Sequence, residues 1–195
     1  TLCGMAGVFS ALFGTPLGAT VFALEVISVG VLYYAGLIPC LTSALTAYWV
    51  AGLMNVPPTR FTVPTPAMDL RNTALTVALA ILCAMVSILF CKGLHLTEHA
   101  AAKYLKNPWL RAFAGGLIII ALTLAVGTGD YNGAGMSVIG RAMAGEAVPW
   151  AWALKLLFTA VTIACGFRGG EVVPSFFVGA TFGCWAASWL GLPPG

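Results

Sequence analysis

Gly166-Phe167-Arg168-Gly169-Gly170-Glu171-Val172-Val173-Pro174-Ser175 runs directly into the apolar stretch 176–192. Three glycines and an arginine precede a helix of membrane grade. Glycine lets the backbone take shapes that other residues resist. A helix starting there points unpaired N–H groups and the positive end of its dipole at whatever lies in front. Within a bilayer, irregular backbone survives only where protein buries it or where it lines a cavity. The simplest use of such a feature is an anion site at membrane depth.

The rest of the chain fits a bilayer. Of its 195 residues 60% are hydrophobic and 8% charged, with a mean hydropathy of +0.97. Soluble domains carry about a quarter charged residues. No charge falls in 26–59, 72–91, 112–129 or 172–195. About 20 apolar residues cross the hydrocarbon, so roughly four to six membrane helices fit.

The net charge of +3 gives no nucleic-acid signature. His95, His99, Lys103, Lys106 and Arg111 cluster with only Glu98 opposing them, which by the positive-inside bias puts loop 95–111 in the cytoplasm. The six cysteines show no metal-ligand spacing and read as small packing residues. No metal or other cofactor is expected.

Helices are expected over 1–13, 15–28, 37–54, 69–105, 108–126, 136–144, 148–165 and 171–192. Gly14-Thr15-Pro16 breaks the first pair, because proline stops one helix and suits the first turn of the next. Residues 55–68 hold four prolines and read as a linker, in which 58–63 is either a short strand or extended coil. Asp69 or Asn72 caps a helix of some 35 residues, too long for one upright crossing. Gly4, Gly7 and Ala11, Gly115 and Gly116, and Gly179 and Gly183 sit at helix-contact spacing.

The stretches 4–25 and 166–174 resemble the CLC family of chloride channels and proton-coupled anion transporters. Gly4-Met-Ala-Gly-Val-Phe-Ser-Ala-Leu-Phe-Gly-Thr-Pro-Leu-Gly-Ala-Thr-Val-Phe-Ala-Leu-Glu25 is similar to the family's helix–break–helix pattern ending at a glutamate. Gly166 to Pro174 is similar to its G-x-x-G-G-x-x-x-P anion-site motif. The resemblance implies an all-α membrane protein, part of an inverted-repeat bundle of tilted and broken helices. Residues 1–54 would end the first repeat, 55–68 link, and 69–195 begin the second with its anion-site helix. It implies transport of chloride or fluoride, with protons as a possible coupled ion, and a homodimer in the bilayer through residues 15–54. The chain is expected to be an internal fragment of a protein of the bacterial plasma membrane. The family's gating glutamate and pore tyrosine would lie outside it.

Carried over by position, the anion is held by backbone N–H groups around Gly169, Gly170, Glu171, Val172 and Val173. Arg168, Glu171, Phe176 and Glu25 are the pore-lining or coupling candidates. Val26 stands where many proton-coupled members have a second glutamate, which favours a passive channel or a branch with different coupling. An acid at the Glu171 slot, and Gly127-Thr-Gly-Asp-Tyr131, point to the fluoride-exporting branch. Val173, where that branch often has threonine, points away from it. Chloride and fluoride stay level.

Glu171 has three open readings: a helix cap, a partner for Arg168, or a protonatable group coupling a proton to the anion. Arg168 either neutralises Glu171 or a helix end, or concentrates anions at a pore mouth. Glu25 reads as structural. Asp130 reads as a helix cap or turn residue, and Lys155 as snorkelling or paired. The competing transport reading is another broken-helix carrier binding an anionic substrate. An intramembrane enzyme is disfavoured, since no nucleophile–base set accompanies the two histidines, and no catalytic residue is assigned. A structural membrane subunit, with its glycine breaks serving only packing, is the third class.

Overall fold

The computed structural model describes residues 1–26, 33–59, 69–167 and 169–192. The described residues are helical, joined by turns and short coil, and contain no strand. The chain divides into two compact units, 1–62 and 63–195. The division falls inside the stretch read as a linker. The strand-or-coil question at 58–63 lies largely outside the described residues.

In the first unit α1 (Leu2–Phe13) ends on Gly14 in the left-handed conformation, and α2 (Pro16–Glu25) starts on proline at its first position. A 3-10 turn, Tyr34–Gly36, leads into α3 (Leu37–Leu53). Small residues let α1 approach α3. A Cβ on Gly7 would meet Ser43 Oγ at 3.1 Å. Ser10 Oγ donates to the Ala44 carbonyl at 2.6 Å, and Ser43 Oγ to that of Cys3 at 2.8 Å. Interhelical hydroxyl bonds of this kind hold helices together where lipid offers no hydrophobic drive. Gly4 faces open space instead.

In the second unit α4 (Leu70–Tyr104) runs 35 residues, with Asp69 as N-cap accepting from the Leu70 N–H at 2.8 Å. At 1.5 Å per residue it is roughly 50 Å long, well beyond the ~30 Å hydrocarbon. The basic cluster expected in a loop begins on its last turns, where His95 and His99 are exposed. α5 (Pro108–Val126) follows an Asn107 cap. α6 (Met136–Met143), α7 (Ala151–Ala164) and α8 (Val172–Leu190) complete the order. α7 is shorter than the expected 148–165, because Val148 accepts a turn bond from Ala151 N–H and Trp150 caps the helix. At 14 residues, about 21 Å, it cannot cross the hydrocarbon alone.

Among the described residues four segments are long and apolar enough to span: Tyr34–Leu53, Leu70–Tyr104, Pro108–Val126 and Val172–Leu190. Around α8 pack α4, α6 and α7. Phe177 on α8, Tyr131, Val138, Ile139, Ala151 and Phe158 form one core, and Phe90, Leu94, Ala160 and Val178 form another. The Cys165 side chain at the end of α7 fills the space a Cβ on Gly115 of α5 would take. Nothing among the described residues lies within 4 Å of the place a Cβ would take at Gly116, Gly179 or Gly183. Cys91 is exposed, whereas Cys40, Cys165 and Cys184 are buried, so packing does not explain every cysteine.

Candidate anion site at the start of α8

The site begins where α7 ends. Gly166 has φ +88, and a Cβ there would lie 3.3 Å from Arg111 Nη2 at the start of α5. The Arg111 Nε is buried with no acceptor among the described residues. A cation thus lies against the root of the site loop, a neighbour that the linear sequence did not suggest. Gly169 and Gly170 follow, both exposed, with nothing near the places a Cβ would take. Arg168 lies outside the described residues.

α8 opens at Val172 with Glu171 as N-cap. The Glu171 side chain makes no capping hydrogen bond and is exposed, so the capping reading is not what the structure displays. A helix start leaves up to four N–H groups unpaired. Here the fourth position is Pro174, which has none. The remaining donors belong to Glu171, Val172 and Val173, and none has an acceptor among the described residues. The Ser175 hydroxyl donates to the Val172 carbonyl at 2.7 Å and leaves those donors untouched. Val173 and Phe176 are exposed and Val172 is half-buried, which gives the donors an apolar surround.

Glu25 is the exposed last residue of α2, followed by exposed Val26. It belongs to the first unit and has no partner among the described residues. Of its two readings Asp130 is the turn residue, in the turn closed by Asn132 N–H to the Gly129 carbonyl, and not the cap of α6. Gly135 takes that place, in the left-handed region, while Asp130 pairs with Arg141 at 2.6 Å. Burial pushes the phenol of Tyr131 above its ordinary value; the Asp130 carboxylate adds to this and Arg141 opposes it. The hydroxyl therefore stays protonated at neutral pH.

Lys155 does not snorkel. It is 2% exposed. Its Nζ donates to the carbonyls of Tyr131 at 3.0 Å and Gly133 at 2.5 Å, and lies 5.0 Å from the centre of the Phe177 ring. Sequence reasoning gave this residue no role, because its acceptors are backbone atoms 22 and 24 positions away. Among the described residues no group of three or more His, Cys, Asp or Glu is arranged to hold a metal ion.

The arrangement suits a small anion: a cluster of unpaired amides at a helix start, apolar walls and open glycines. Comparison with known proteins gives the family. A profile of the voltage gated chloride channel family matches residues 1–194. A chloride/fluoride channel protein of Pseudomonas syringae pv. tomato is 33% identical, over 100% of this chain and 44% of its own length. The crystal structure of a CLC-type fluoride/proton antiporter superposes with a TM-score of 0.91 at 30% identity, over 98% of this chain and 49% of that one. The chain thus spans a little under half the length of these relatives. With its apolar helices and this match along almost its whole length, it is an integral membrane protein and belongs to the voltage-gated chloride channel, or CLC, family.

Proposed function

We propose that the chain supplies the anion-binding helix of a CLC-type pathway that carries fluoride or chloride across the membrane. The ion is held by the backbone amides of Glu171, Val172 and Val173, with Gly169 and Gly170 leaving room for it. The observation that carries this reading is the start of α8, where three amides lack acceptors among the described residues and proline removes the fourth. A halide must exchange its water shell for other donors. Dipoles can bind it well enough to enter and weakly enough to leave. Fluoride is the ion that both named relatives share, and it is the favoured cargo.

Glu171, exposed beside those amides, is the candidate coupling acid. Two further points belong to the same reading. The homodimer forms through 15–54, supported by the exposed apolar side chains Leu17, Ile38 and Trp49. The basic segment 95–111 faces the cytoplasm, supported by its charge.

The test is flux. Full-length protein in liposomes is loaded with fluoride, chloride or a small carboxylate, and efflux is followed with internal and external pH. Halide efflux with little carboxylate efflux is expected, with proton movement abolished in Glu171→Gln. Carboxylate efflux equal to that of halide would favour a different carrier, and absence of any halide efflux would refute the proposal.

A further inference from the structure

Lys155 is buried in the second unit without a counter-charge among the described residues. Its partners are two peptide carbonyls and one aromatic face. Among the described residues it has no carboxylate partner, and Asp130, next to one of its acceptors, is taken by Arg141 at 2.6 Å. Burying a charge is expensive unless it is paired or well hydrogen-bonded. Carbonyl dipoles and a ring face solvate an ammonium and favour its protonated form. They cancel none of its charge. Held as an ammonium by these acceptors, Lys155 places an uncancelled positive charge in the protein interior.

Its position is specific. The ring it rests on belongs to Phe177, five residues beyond Val172 on α8. At 1.5 Å per residue that is about 7.5 Å along the axis from the first turn. The ammonium is thus on the order of 10 Å from the unpaired amides. At that range and an effective dielectric of about 20, a unit charge changes the affinity for a monovalent anion roughly tenfold. That is enough to matter and too little to trap the ion.

We infer that Lys155 is the fixed counter-charge of the transported anion: it sets affinity at the start of α8 through its field, without touching the ion. The inference rests on the anion-site reading above. It predicts an unusual signature. A field acts equally on all monovalent anions, so removing it weakens fluoride and chloride by the same factor, whereas a distorted site would shift their ratio.

The test uses full-length protein with fluoride and chloride as probes, measuring equilibrium binding and the concentration dependence of flux. Lys155→Gln is expected to weaken both ions roughly tenfold, mainly in KM and less in maximal rate. Lys155→Arg should keep affinity within about threefold, and so should Phe177→Leu, which removes the ring but leaves the charge. Unchanged affinity in Lys155→Gln, or an equal loss in Lys155→Arg, overturns the inference. So does a large change in the fluoride-to-chloride ratio. Should Lys155→Gln fail to fold, Phe177→Leu and Lys155→Arg still decide, since a tenfold loss in either contradicts it. A wild-type protein that binds neither halide refutes the site itself, a result distinct from a wild-type protein that binds while Lys155→Gln binds equally well.

Discussion

Replacing Gly135 with alanine should destabilise the protein by about 2–5 kcal/mol, from two separable causes. Gly135 has φ +68, where an L side chain is strained by about 1–2 kcal/mol. Its new Cβ would also lie 2.5 and 2.7 Å from Phe177 ring carbons and 3.1 Å from the Asp130 carbonyl oxygen. Phe177 is fully buried, so the ring has nowhere to swing. Overpacking of this kind costs about 1–3 kcal/mol. Gly133 provides the control. Its φ is +61, but nothing lies within 4 Å of its would-be Cβ. Gly133→Ala should therefore lose only the ~1–2 kcal/mol of backbone strain. The difference between the two variants isolates the packing at about 1–3 kcal/mol. Thermal unfolding of the detergent-solubilised full-length protein, followed by tryptophan fluorescence, would rank them wild type, Gly133→Ala, Gly135→Ala in falling midpoint. Adding Phe177→Leu to Gly135→Ala should lose less than the sum of the single effects, because the ring is the obstruction. Equal midpoints for the two alanine variants would refute the close approach of Gly135 to α8.

The other expectations are simpler. Gly115→Ala should destabilise by about 1–3 kcal/mol, since its Cβ would fall on Cys165, whereas Gly116→Ala, in open space one residue on, should be neutral or gain up to about 1 kcal/mol from helix propensity. Thermal scans of the pair would settle it. Asp69→Ala removes the cap of α4 and should cost about 1 kcal/mol, with Asp69→Asn largely spared. Arg141→Gln breaks a partly exposed pair and should cost under about 1 kcal/mol, less still at high salt, so scans at two ionic strengths should converge.

Helix ends written in local chemistry were legible in the sequence. Asp69 caps α4, Pro108 opens α5, and Gly14 with Pro16 separates α1 from α2, each through a residue whose backbone preference acts within one turn. The glycine loop before α8 was legible for the same reason. Contacts made across the fold were not. Asp130 finds Arg141 eleven residues away, Lys155 finds peptide oxygens more than twenty away, and Arg111 lies against Gly166 from another helix. Nothing in residue type or period announces such pairings.

The cradle around Lys155 is made of main-chain oxygens, and this has a consequence for how the segment 127–135 can vary. Peptide oxygens are present whatever letter stands at positions 131 and 133, so exchanging those letters leaves the acceptors in place if the backbone path holds. Spacing is another matter. One residue gained or lost in that segment moves both oxygens off the ammonium together. A library across it should therefore tolerate replacements away from the buried Tyr131 and the left-handed Gly127, Gly133 and Gly135, and almost no change of length.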